Sequence, residues 1–262
     1  ALSGERQVFI SVYCYLCRKM KKLSIVTITY NAEKTLEQTL KSVNEQTYAD
    51  IEHIIVDGNS SDKTLDLIRR FKNDKMKWIS EPDNGLYDAM NKGIRMATGD
   101  YICFLNAGDT FFAANTVETV MYSVNRATQL PDILYGETAI VDNKGAFLHM
   151  RRLKAPDNLN WKSFKQGMVV CHQAFFVKRE QVEEYDTSYR FSSDFDWSIR
   201  LMKKSTNIYN THKILINYLN EGVTTANRKA SLIERYRIMA NHYGHISTFI
   251  HHLWFMVRLV FK

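Results

Sequence analysis

A chain of 262 residues, 45% hydrophobic and 24% charged, is long enough to bury a large core without disulfide or metal staples. Three prolines and 11 glycines exclude long disordered stretches, and of the four cysteines only Cys14 and Cys17 stand in a CxxC, with no second pair at zinc spacing, so a reduced, cytosolic setting is expected. The formal charge of +7 divides into +4 on residues 1–22, +5 on residues 223–262 and −2 between them, which argues against a nucleic-acid-binding fold and for an acidic catalytic domain with a basic tail.

Residues 1–21 read as an N-terminal extension. Val8–Cys17 is apolar but about half the length of a membrane span, and its basic cluster follows the apolar run, the wrong order for a secretory leader. Met20 before Lys21 and Lys22 looks like a natural start. From Leu23 strands and helices alternate. Strands are expected at 23–30, 51–57, 76–80 and 101–106, and helices at 32–46, 62–71 and 86–97, from β-branched runs and apolar residues at helical spacing. This alternation implies a parallel sheet. Beyond residue 110 the rhythm changes. A helix is expected over 114–126, a hairpin around Asn143-Lys144-Gly145, a strand at 173–178, a helix from Asp194 to Met202 and two helices over 230–262. The fold class is α/β: a mixed, mostly parallel central sheet flanked by helices, with a helical C-terminal extension.

Each of the first four strands ends in polar residues: Thr29-Tyr30-Asn31, Asp57-Gly58-Asn59-Ser60, Glu81-Pro82-Asp83-Asn84-Gly85 and Asn106-Ala107-Gly108-Asp109. In an open α/β sheet the carboxyl ends of the strands form the ligand crevice. One such cluster can be plain turn chemistry; four in succession point to one site. No GxGxxG and no GxxxxGK[ST] occurs, so the common dinucleotide and P-loop fingerprints are missing. Carboxylates alone repel a diphosphate, so a divalent cation, Mg2+ or Mn2+, is implied, with Asp109 its natural ligand. Asp57 is better suited to accept hydrogen bonds from a base or ribose.

At LSIVTITYN, SVNEQTY, IIVDGNSSDKT, SEPDNGLYDAMNKGIRMATGDYICFLNAGD, CHQAFF and FSSDFDW the chain resembles the family 2 inverting glycosyltransferases of GT-A fold, over about residues 22–220. The branch it resembles builds bacterial O-antigen, capsule or exopolysaccharide repeat units. The resemblance implies that Thr29, Tyr30, Asn31 and Glu33 flank the nucleotide and that Asp57, beside Gly58, holds the base. It implies that Asp83, Asp88, Asn91, Lys92 and Gly93 shape the wall beside ribose and sugar. Asn106, Ala107 and Asp109 stand at the metal motif and Asp194 at the catalytic base. The motif usually carries two or three acids; here Asp109 is the one acid. The expected domain order is a donor half over 22–110, an acceptor half over 111–222 and a basic amphipathic tail over 223–262.

In the implied reaction an acceptor hydroxyl attacks the anomeric carbon of a UDP-, GDP- or dTDP-sugar, Asp194 takes its proton, and a metal at Asp109 offsets charge on the leaving diphosphate. Asp196 is the rival base, two residues on and therefore on another side of a helix. His172, Asp196 and Trp197 are candidates for the acceptor side. The acceptor would be a glycan or a polyprenyl-linked glycan. Trp254, Phe255 and Phe261 with nearby cations suit a membrane interface as well as they suit packing on the domain, so peripheral contact with the inner face of the cytoplasmic membrane is an expectation. Two other readings stay open: a nucleotidyltransferase that makes sugar nucleotides, against which the loop TYNAEKT lacks a Gly-rich basic segment, and an inactive GT-A binding module.

Overall fold

In a computed structural model describing residues 20–220 and 228–260, the first four strands lie parallel, in the order β3-β2-β1-β4. They are β1 (Leu23–Thr29), β2 (Ile51–Asp57), β3 (Met76–Ser80) and β4 (Tyr101–Phe104), joined by α1 (Leu36–Asn44), α2 (Thr64–Phe71) and α3 (Leu86–Met96). Every residue of β1, β2 and β4 is buried, because helices cover both faces of the sheet. Val26, Ile28, Ile54 and Val56 join one core with Tyr87 and Met90 of α3. Leu23, Ile25 and Ile51 join the opposite core with Val117, Val120 and Val124 of α4 (Thr116–Arg126). Helix α1 starts later than its apolar spacing suggests, because Asn31 takes a left-handed φ of 47° and residues 31–35 form a turn.

Beyond β4 the sheet becomes mixed. It continues β4-β8-β6-β9-β5, with β7 attached to the side of β6. These strands are β5 (Thr110–Phe111), β6 (Ile133–Val141), β7 (Phe147–Met150), β8 (Phe175–Lys178) and β9 (Ile208–Leu219). The β6–β7 turn is the expected hairpin, with Gly145 at φ 79° and the Asp142 carboxylate accepting from the Lys144 and Ala146 amides. Strand β9 was not legible in the sequence. Its alternation is broken at Asn210–Lys213, where His212 has φ 52° and the register with β6 shifts. Gly136 of β6 accommodates that irregularity: a Cβ there would lie 2.5 Å from the Lys213 carbonyl oxygen.

Helix α5 (Ser193–Lys204) packs into the core beside Phe164 and Phe175, and α6 (Arg228–Tyr243) and α7 (His245–Val260) follow, with Gly244 at φ 82° between them. Helix α6 is docked on the domain. Ile238 and Met239 are buried in the core that holds Trp197, the Glu234 carboxylate accepts from the Arg190 and Phe191 amides, and Ser231 meets Ser192. Helix α7 buries Thr248 and packs Phe255 inward, while Ile246, Phe249, Ile250, Leu253, Trp254 and Val257 form an exposed stripe. No helix among the described residues is long and apolar enough to cross a membrane. The Cys14–Cys17 pair, the Val8–Cys17 run and Phe261 lie outside the described residues.

Candidate active site

The loops at the carboxyl ends of β1 and β2 are laced to one another. The Asn31 amide donates to Ser60 Oγ at 2.8 Å, and its side-chain oxygen accepts from the Ser61 amide. The Ala32 amide donates to Thr64 Oγ1, and the Glu33 carboxylate accepts from the Lys63 amide. Tyr30 stands out from this turn with 66% of its surface exposed. Asp57 lies fully buried beneath it and accepts from the Ser60 amide, Ser60 Oγ and Ser80 Oγ at 2.9, 2.5 and 2.7 Å. In this arrangement Asp57 braces the loop. The carboxylate facing the crevice beside it is Asp83. A Cβ on Gly58 would lie 2.5 Å from Asp83 Oδ2, so glycine at 58 lets Asp83 fold against the β2 turn. Lys92 of α3 ties that loop down through Glu81 at 2.9 Å and the Pro82 carbonyl at 2.7 Å, and Asp88 accepts from the Asn84 amide.

Two members expected on this wall turn inward. Asn91 is buried, and its side-chain amide pairs with both the Tyr185 amide and the Tyr185 carbonyl. Gly93 faces β1, where a Cβ would sit 2.3 Å from Val26 Cγ1; it lets α3 approach the sheet closely. Neither presents a group to a sugar.

The turn Asn106–Asp109 does not form a ready cation cage. Gly108 has φ 105°, and the Asp109 carboxyl is directed inward, 4% exposed. Its Oδ1 accepts from the Leu219 amide at 2.9 Å and its Oδ2 from the Gln173 side chain at 2.7 Å. Burial pushes this carboxyl up to about 7, against the hydrogen bonds that lower it. Among the described residues no three His, Cys, Asp or Glu side chains gather where they could hold a metal. Both Asp109 oxygens anchor the turn, one to β9 and one to the segment before β8, and each accepts one hydrogen bond there. Open valence lies elsewhere: Thr29 Oγ1 and Asn106 Oδ1, at the ends of the adjacent strands β1 and β4, are buried without partners. Unmade hydrogen bonds of this kind cost about 1–3 kcal/mol each, which a ligand entering the crevice would offset.

The opposite wall is aromatic and carries Asp194, in the first turn of α5, where a negative charge suits the helix dipole. Asp194 is partly exposed and accepts from the Tyr87 hydroxyl of α3 at 2.9 Å. Asp196 points elsewhere, as its spacing requires. It is buried between Arg200 at 2.7 Å and His242 of α6 at 2.7 Å, so it ties α6 to α5 and is withdrawn from an acceptor. Trp197 is fully buried, donates to the Glu183 carbonyl and stacks on Tyr185 at 4.8 Å; it too is core rather than acceptor surface. His172 is buried beside Phe104 and Trp197 and meets the Tyr185 hydroxyl at 2.6 Å; burial lowers it to about 4, so it is neutral.

The Tyr87–Asp194 hydrogen bond joins α3, which follows the third parallel strand, to the first turn of α5. The family model described as "Glycosyl transferase family 2" matches residues 24–186. The chain belongs to glycosyl transferase family 2. Among curated relatives, the PGL/p-HBAD biosynthesis glycosyltransferase of Mycobacterium bovis is 30% identical over 208 residues, covering 76% of each chain. The amylovoran biosynthesis glycosyltransferase AmsB of Erwinia amylovora is 30% identical over 210 residues, covering 74% of this chain and 68% of AmsB. Solved structures give the GT-A fold. S. aureus TarS 1–349 in complex with UDP-GlcNAc aligns with a TM-score of 0.65 at 18% identity over 83% of this chain; this chain spans 64% of that fragment. Mannosyltransferase PcManGT from Pyrobaculum calidifontis, in complex with GDP-Man and Mn2+, aligns with a TM-score of 0.59 at 14% identity, covering 94% of this chain and 81% of that one.

Tyr87, Gln173 and Tyr185 meet Asp194, Asp109 and His172 respectively and were not singled out from the sequence. Tyr87 sat in plain view in the α3 motif, but only the fold reveals that it meets an acid more than a hundred residues away. The role of Asp109 as an anchor has a direct consequence. Asp109→Asn removes one of two acceptors and should destabilise the metal-free protein by about 1–3 kcal/mol, read as a fall of several degrees in Tm. An unchanged Tm in chelator would contradict the anchoring role.

Proposed function

We propose that this glycosyltransferase moves one sugar from a nucleotide-sugar donor to a hydroxyl of a glycan or lipid-linked glycan acceptor, with inversion, in the assembly of a cell-surface polysaccharide. The observation that carries this reading is Asp194: a partly exposed carboxylate with one hydrogen-bond partner among the described residues, the Tyr87 hydroxyl of α3. The relatives named for PGL/p-HBAD and amylovoran biosynthesis and the structures titled with UDP-GlcNAc and GDP-Man support a nucleotide-sugar donor and a glycan product.

In this reading the donor lies along Tyr30, Gly58 and Asp83, with its diphosphate toward Thr29 and Asn106. Asp194 accepts the proton of the incoming hydroxyl, a contribution of about 10²–10⁴ in rate. A single displacement from the face opposite the diphosphate inverts the anomeric centre, so no nucleophile of the protein is required. Tyr87 orients the Asp194 carboxylate and leaves its second oxygen for the acceptor. No step is assigned to a cation held by Asp109. The test is release of nucleotide from a panel of UDP-, GDP-, dTDP- and CMP-sugars, in magnesium, manganese and chelator, with the product anomer read by NMR. Release from one donor class with an inverted product is expected. Failure of every donor both to bind and to be cleaved would contradict an active transferase, and a retained anomer would contradict the single displacement.

We also infer contact between α7 and an anionic lipid surface. The exposed stripe Ile246, Phe249, Ile250, Leu253, Trp254 and Val257 lies in a segment, residues 235–262, without one Asp or Glu and with four Lys or Arg. Apolar and aromatic residues with cations are the composition of an in-plane interfacial helix. The intact protein should sediment with phosphatidylglycerol-containing vesicles but not with phosphatidylcholine vesicles, and Ile250→Glu with Trp254→Glu should abolish this. Self-association that those changes disrupt, without vesicle binding, would instead mark the stripe as a contact between copies.

A further inference from the structure

We propose that Arg151 is the phosphate-recognising cation of the crevice, engaging a diphosphate through a guanidinium whose Nη1 has no hydrogen-bond partner among the described residues. The inference rests on the glycosyltransferase reading above and names a residue and a ligand group that this reading leaves open. Arg151 follows β7, and its amide donates to the Thr138 carbonyl of β6 at 3.0 Å. Thr138 faces Ile216 of β9, two residues from Tyr218 and three from Leu219, which holds Asp109. The side chain therefore starts close to the acceptor-half end of the crevice. It is partly buried, and its Nη1 is enclosed without any hydrogen-bond partner. Its charge acts on the Cys171 thiol and the Tyr218 hydroxyl, and Tyr218 also senses Asp109 and Asp194. Cys171 donates to Gln173, which in turn donates to Asp109. Arg151 thus lies toward the Cys171–Gln173–Asp109 chain and pairs with no acid among the described residues. Asp109 is held by Leu219 and Gln173, and Asp194 by Tyr87.

An enclosed guanidinium N–H without an acceptor is costly, and a guanidinium cannot relieve the cost by losing its proton. Such a group is retained where an anion completes it. The crevice otherwise presents Asp83, Asp88 and Asp194, which repel a diphosphate, and the turn 106–109 carries one acid. Arg151 supplies positive charge beside these acids. The planar fork of arginine suits two phosphate oxygens at once. Two molecules carry this chemistry into such a site: the nucleoside diphosphate of the donor and the diphosphate of a lipid-linked acceptor.

The test uses the intact protein and calorimetric titration with UDP, GDP, dTDP and inorganic pyrophosphate, beside the corresponding nucleosides, for wild type, Arg151→Gln, Arg151→Lys and Arg152→Gln. Arg152 is exposed and controls for net charge. Loss of one charged hydrogen-bonding group should weaken the preferred nucleoside diphosphate about tenfold or more in Arg151→Gln, leave nucleoside binding unchanged, and be partly restored in Arg151→Lys. If nucleotide affinity is unchanged but inhibition by a short prenyl diphosphate, compared with its prenol, weakens by a similar factor, the diphosphate is the acceptor's. Equal affinities for both kinds of diphosphate in wild type and both Arg151 variants would overturn the proposal. Should Arg151→Gln fail to fold, the same comparison is made on Arg151→Lys. A wild-type protein that neither binds nor cleaves any nucleotide sugar would instead sink the glycosyltransferase reading itself.

Discussion

The hydrogen bond from the Tyr87 hydroxyl to Asp194 is the constraint on which the geometry of the crevice depends. Tyr87 belongs to α3, on the parallel half of the sheet, and Asp194 to α5, on the mixed half; the bond joins the two walls. Burial raises the Tyr87 phenol far above its ordinary range, with the Asp194 charge adding to the effect, so the hydroxyl stays a donor at every accessible pH. The ring is itself fixed, stacked at 5.5 Å on Tyr185, which Asn91 grips at both backbone atoms. Phe104, His172 and Trp197 fill the space beneath. A carboxylate held by one donor on a packed aromatic floor is oriented without being neutralised by a cation, and a general base needs that state.

The molecule separates its buried charges by function along the strand direction. At the amino ends of the strands, Glu52 is almost wholly buried and accepts from Ser24, Thr98, the Gly99 amide, Lys22 and Lys77. Burial opposes its ionisation, but these donors outweigh burial and hold the carboxyl well below the usual carboxylate range. Every acceptor position there is satisfied, as expected of a structural charge. At the carboxyl ends, polar atoms remain unmatched: Thr29 Oγ1, Asn106 Oδ1 and the guanidinium of Arg151.

Much of the donor half was legible because its physics is local. Buried parallel strands read as apolar runs, and helices between them show their apolar face in spacing; β1 to β4 and α1 to α3 follow from Leu23 onward. The fold class and the family followed from motifs that lie in those same segments. What escaped was non-local. Strand β9 forms by pairing with β6 across a bulge seated on Gly136, and no periodicity survives it. Side-chain roles inside a recognised motif were also hidden. Asn91, Gly93, Asp196 and Trp197 belong to the motif yet serve packing and bracing, because their directions are set by Tyr185, Val26, His242 and Glu183. The inward turn of Asp109 is set by Gln173 and Leu219, each more than sixty residues on.

The separation of Asp194 from Asp196 is the central claim, and single-residue kinetics test it most directly. With the donor identified, kcat, donor affinity and Tm are measured for Asp194→Asn and Asp196→Asn. Loss of the base should lower kcat in Asp194→Asn by about 10² or more, with donor affinity and Tm close to wild type. Asp196→Asn should instead lower Tm, through loss of the Arg200 and His242 pairs, and retain most of its turnover once folded. Near-normal turnover in Asp194→Asn, or a selective loss of kcat in a fully stable Asp196→Asn, would contradict the account.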